Sequence, residues 1–169
     1  MPNQKEIMRK YLYIISIIFF IVSCNKEVKN FKPTTKLENI LKDGNLNKTF
    51  YEFRLKNVFL TRGIDTTKSF KTFVKNTNFK ELINLTECEK PLIRCFAFKA
   101  LIEKKYPNIR SLLFRHKNDK ESIEVINQCV RLNESVNFYM LSQLDPFAKT
   151  KYRFNKKEFD EVRRDFIGD

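Results

Sequence analysis

Three glycines and five prolines are all that the 169 residues contain, too few for an architecture built from many tight β-turns. Histidine occurs once, at position 116. There is no glycine-rich phosphate loop, no clustered pair of carboxylates and no serine in a nucleophile elbow. No catalytic residue and no cofactor are therefore nominated. The four cysteines are Cys24, Cys88, Cys95 and Cys129; the last three, taken with His116, match no zinc-ligand spacing, so no metal site is expected. Long apolar runs are missing too. The most apolar stretch, Tyr11 to Val22, is twelve residues, against roughly twenty for a membrane-spanning helix.

What the front end does contain is a charged start (Lys5, Arg9, Lys10), that apolar stretch, and Ser23 before Cys24. This order describes a secretory signal. The tetrapeptide Ile21-Val22-Ser23-Cys24 resembles the lipobox of bacterial lipoproteins, and the spacing improves if Met8 is the initiator. The resemblance implies that residues 1–23 are removed and that the Cys24 thiol carries a diacylglyceryl group. A lipid-anchored, periplasm-facing place in the cell envelope follows from it. One acyl chain binds a bilayer only marginally, whereas two or three hold firmly. An ordinary signal with an incidental cysteine, or a single-pass anchor, are the competing readings.

Beyond the signal the chain is basic and aromatic. Removing residues 1–23 takes away Lys5, Arg9, Lys10 and Glu6, so a net charge of +13 falls only to +11. That balance favours anionic partners: phosphate-bearing lipid, polyanionic glycan or nucleic acid. Lysine outnumbers arginine by more than two to one, and arginine is the better reader of phosphate and base edges. Nucleic acid is accordingly the weakest of the three. Seventeen phenylalanines and a hydrophobic fraction of 42% argue against disorder. The expected fold class is mainly α: a polar tether over residues 24–45, with a short helix near Leu37 and Ile40, then a compact helical domain over 46–169.

Within that domain Tyr51, Leu55, Val58 and Phe59 have helical spacing, and Phe70, Phe73 and Val74 suggest another short helix. Asn78 is placed to cap a helix through Phe79, Leu82, Ile83 and Leu85. Pro91 fits the first turn of the next, which runs to Lys105 and is apolar around most of its circumference. Pro107 opens a third helix with Ile109, Leu112 and Leu113 on one face. The run Pro91-Leu92-Ile93-Arg94, followed by Ala97, Ala100 and Leu101, resembles the second helix of a HEAT-type repeat. The resemblance covers about 40 residues (79–117) and fades over Lys120–Ile126. It implies one HEAT-like αα-hairpin inside a compact domain, because arrays usually need three or more units.

Toward the C-terminus, Ser122–Leu132 reads as strand or loop, and Val136, Tyr139, Met140 and Leu144 as helix. The last helix is the best marked: Asn155 caps it, Glu158 completes a capping box, and Phe154 staples onto Phe159. Cys95 and Cys129 are a possible disulfide in an oxidising compartment, with buried thiols as the alternative. His116 fits a cation near a helix C-terminus. The stretch Lys149 to Lys157 interleaves cations with aromatics in a way that suits membrane headgroups, though a solvated loop with Phe154 turned inward explains it more simply. Together these features point to a non-enzymatic, membrane-anchored interaction or scaffold module, binding an envelope protein or an anionic surface. The alternative is an envelope hydrolase or modifying enzyme whose site is scattered through the sequence.

Overall fold

A computed structural model describes residues 30–43, 60–61, 68–127 and 130–167. The signal region, Cys24, the helical spacing at Tyr51–Phe59 and Cys129 lie outside the described residues. In chain order the elements are α1 (Leu37–Asp43), β1 (Leu60–Thr61), α2 (Lys68–Asn76), α3 (Phe79–Thr86), α4 (Pro91–Glu103), α5 (Ile109–Arg115), β2 (Ser122–Asn127), β3 (Val130–Ser135), α6 (Val136–Ser142) and α7 (Lys156–Ile167). The fold is helix-rich with a small three-stranded sheet, ordered β1-β2-β3. No described helix is long and apolar enough to cross a membrane.

The centre of the molecule is α4. Pro91 occupies its first turn, where a missing N–H breaks no helical hydrogen bond. From Ile93 to Leu101 every residue is buried, so the helix is packed on all sides, as its nearly continuous apolar sequence requires. Ala97 and Ala100 are fully buried, and their small side chains let neighbouring helices approach. The helix closes with Lys105 at φ 60°. The Tyr106 N–H donates to the Leu101 carbonyl and the Lys105 N–H to that of Ile102, the doubly bonded stop usually built on glycine. Pro107 follows directly.

The flanking helices start where the sequence places their caps. The Asn78 side chain accepts from the Glu81 N–H at 2.9 Å and Glu81 accepts from the Asn78 N–H at 2.8 Å. Asn155 and Glu158 repeat that reciprocal pair at 2.9 Å each. Phe154, just outside α7, is buried, and Phe159 packs against the same core. α5 begins at Ile109 rather than at Pro107, with Asn108 as its cap residue at φ −95°, ψ 27°.

The stretch left open as strand or loop is a β-hairpin. Ile123 and Val125 are buried while Ser122 and Glu124 are exposed, the period-two pattern of a half-buried strand. β2 pairs antiparallel with β3 (Val125 opposite Leu132) and parallel with β1 (Leu60 opposite Val125). The N-terminal segment is docked well inside the stretch read as tether. Thr34 and Thr35 N–H groups donate to the Glu87 carbonyl, the Phe31 N–H to that of Asn118, and Leu37 and Ile40 join the core.

Candidate functional site

Two places concentrate polar chemistry, at opposite ends of α4. At its N-terminal end lies Arg94, with no exposed surface. Its Nε and Nη2 donate to the two Asp119 carboxylate oxygens at 2.8 Å each, and Nη1 donates to the Cys88 carbonyl at 2.8 Å. Nη2 also lies 3.0 Å from Glu121 Oε1. The guanidinium stands 5.2 Å from the centroid of the Phe31 ring. That ring in turn packs at 4.4 Å on His116, whose Nδ1 is 3.4 Å from Asp119.

A fork-on-fork pair of this kind is strong and directional. It welds the α3–α4 turn, the end of α5 and the N-terminal segment into one unit. The donors of Arg94 are directed at protein oxygens, so the guanidinium is arranged as a clamp and not as a receptor for an incoming anion. His116 was expected as a cation at a helix end. It does follow α5 directly, but its ring is fully buried between Phe31 and Asp119.

The thiols at this end are quiet. Cys88 and Cys95 are free and buried. Burial pushes the Cys88 thiol up, and pushes that of Cys95 well above the usual thiol range, with Asp119 adding to the effect. Both are therefore held protonated at neutral pH, the opposite of what a nucleophile or metal ligand needs. The expected Cys95–Cys129 pairing involves a residue outside those described. Among the described residues no cluster of histidine, cysteine and carboxylate could hold a metal ion.

The C-terminal end of α4 is organised differently. The Tyr152 hydroxyl donates to the Lys105 carbonyl at 2.6 Å. Arg110 donates to the carbonyls of Tyr152 (3.0 Å) and Arg153 (2.7 Å) and stacks on the Phe154 ring at 4.4 Å. The Phe154 N–H donates to the Leu144 carbonyl at 2.9 Å. These bonds fix the loop between α6 and α7. Its tip is a turn in which Asp145 accepts from the Phe147 N–H at 2.8 Å and its carbonyl from the Ala148 N–H at 3.0 Å. The Phe147 side chain projects from that turn 87% exposed.

Lys149 and Lys151 are exposed on the same loop; Lys105 is exposed at the α4 stop, next to Tyr106, whose ring lies tilted against that of Phe79 at 5.5 Å. Lys75 and Lys80 are exposed where α2 ends and α3 begins. Lys75 also lines, with Lys68, Lys71 and Thr72, a shallow depression on the outer face of α2. No carboxylate lies within ion-pair distance of these five lysines (75, 80, 105, 149 and 151) among the described residues. At the Arg94 end Arg115 pairs with Glu87, Lys117 with Asp165 and Arg94 with Asp119, while Lys32, Lys36 and Lys120 are exposed with no carboxylate partner among the described residues; at the other end Arg110 pairs with Glu158.

Sequence reasoning found Lys149, Lys151 and the inward Phe154 but missed Phe147. The available signal was an aromatic residue placed directly after a turn proline. No family model, curated protein or solved structure matches the chain.

Proposed function

We propose that the protein is a lipid-anchored, non-enzymatic interaction module of a bacterial envelope, held at a membrane through acylated Cys24 and offering its basic surface to an anionic surface or an envelope protein. The observation that carries this reading is the join between anchor and body. Ile21-Val22-Ser23-Cys24 closes a short apolar run, and Phe31, seven positions further on, is already docked on the domain. A span of that length reaches at most about 24 Å when fully extended, so a lipid on Cys24 would keep the domain close to the bilayer. Two buried thiols held protonated and an arginine engaged by protein oxygens suit a binding role better than covalent chemistry. In this reading α3 and α4 serve as a HEAT-like hairpin, with Pro91, Ala97 and Ala100 in the packing roles that the pattern implies. That part is fold-level analogy.

The test is intact mass and fractionation of the full chain, wild type beside Cys24→Ser. The expected wild-type species begins at Cys24, carries added acyl mass and sediments with membranes, while Cys24→Ser loses the acyl mass. An uncleaved, unmodified wild-type chain in the soluble fraction would overturn the reading.

A further inference from the structure

The loop between α6 and α7 has a property that charge alone does not explain. Phe147 has no polar group to satisfy and is 87% exposed, yet the turn that carries it is closed by two hydrogen bonds, from the Phe147 and Ala148 N–H groups. The loop below is fastened to α4 and α5 through Tyr152 and Arg110. The ring is therefore presented rather than loosely left out. Lys149, Lys151 and Tyr152 follow it on the same loop, Tyr152 is hydrogen-bonded to the Lys105 carbonyl, and Lys105, Lys149 and Lys151 have no carboxylate partner among the described residues.

We infer that this loop, with the end of α4 it is fastened to, is a membrane-docking face for an anionic phospholipid bilayer, with Phe147 entering the headgroup–acyl boundary and Lys105, Lys149 and Lys151 lying over headgroup phosphates. Aromatic rings and lysines at that depth are the ordinary composition of an interfacial contact. Cations near an anionic leaflet each strengthen the association about fivefold at low salt. A polyanionic glycan or acidic protein would satisfy the lysines, but neither supplies the apolar layer that the presented ring fits. The inference rests on the envelope reading only for which bilayer the domain meets. The Arg94 end, where the chain arrives from Cys24, is the opposite end of α4. The bilayer that receives Phe147 is consequently either a facing membrane or the anchoring one with the domain laid on its side.

The chain contains no tryptophan, so Phe147→Trp makes a single reporter at an exposed position. The full-length variant, extracted from membranes, is reconstituted into phosphatidylcholine vesicles and compared with vesicles containing phosphatidylglycerol. Brominated phosphatidylglycerol is supplied either in the same vesicles or in added ones. The expected result is a blue shift and bromolipid quenching with phosphatidylglycerol only, reversed by high salt and by Lys149→Glu with Lys151→Glu in a variant of unchanged circular dichroism. Quenching from the same or the added vesicles tells the two bilayers apart, and either supports the inference. Water-like emission in every vesicle overturns it, as does a shift produced by soluble heparin without bromolipid quenching. Failure of the lipid-anchor reading would show instead as missing acyl mass, and would leave the response to added vesicles intact.

Discussion

A guanidinium without exposed surface is tolerable only if its charge and its donors are met, because an unpaired buried charge is among the costliest features a fold can contain. Arg94 meets that condition through Asp119, Glu121 and the Cys88 carbonyl. The consequence is asymmetric. Replacing both partners with apolar residues of similar volume is often close to neutral, while removing one leaves the other stranded. Asp119→Ala is therefore expected to lower stability by about 3–5 kcal/mol, a large part of what holds a domain of this size. Arg94→Met combined with Asp119→Leu should recover most of that loss. Urea unfolding of the two variants beside wild type measures it; an Asp119→Ala loss of under about 1 kcal/mol would mean that the clamp is not a buried ion pair in solution. Lys105 illustrates the reverse economy, a residue of unfavourable backbone geometry kept in place at an exposed tip.

Secondary-structure elements were legible where their signals are local. The Asn78 cap, the Asn155–Glu158 pair, Pro91 in a first turn and the all-round apolar α4 are written within a few consecutive residues each, and all four stand as expected; the reciprocal bond from Glu81 to Asn78 comes in addition. What lay outside the reach of local signals is long-range pairing. β1 is two residues long and acquires its identity from β2, more than sixty positions away. The docking of Phe31 on Asn118 and His116 likewise brings together distant segments whose own sequences say only polar and extended. Of the α6–α7 loop, the composition was visible but which cations find a carboxylate was not, since that depends on which carboxylates the fold delivers to them. The capping pairs can be tested directly. α7 is a twelve-residue helix of mostly polar composition, with Phe166 its one buried residue, so its start matters. Asn155→Ala is expected to cost about 1 kcal/mol, and Glu158→Ala somewhat less. At this size the first corresponds to a drop in Tm of roughly 2–4 °C, readable by circular dichroism. An unchanged melt would show that α7 is held by its apolar contacts, Phe154, Phe159, Val162 and Phe166, alone.

For the whole molecule, the excess of positive charge has a thermodynamic signature separate from any partner. A chain with net charge +13 repels itself when folded, and an excess of like charge weakens a compact state. Screening should relieve the repulsion among Lys75, Lys80, Lys105, Lys149 and Lys151. The Debye length falls from about 30 Å at 0.01 M to about 8 Å at 0.15 M salt. The Tm is therefore expected to rise by a few degrees, about 2–4 °C, as sodium chloride is raised through that range. Lys149→Glu with Lys151→Glu should show a higher Tm at low salt and a flatter dependence on it, because the substitutions do what screening does. Scanning calorimetry of the two proteins across the series provides the comparison. If the wild-type Tm falls with salt instead, ion pairs dominate over repulsion and these lysines are neutralised in solution. If it rises equally in both proteins, the repulsion is spread over the whole surface and the lysines around Phe147 are not its source.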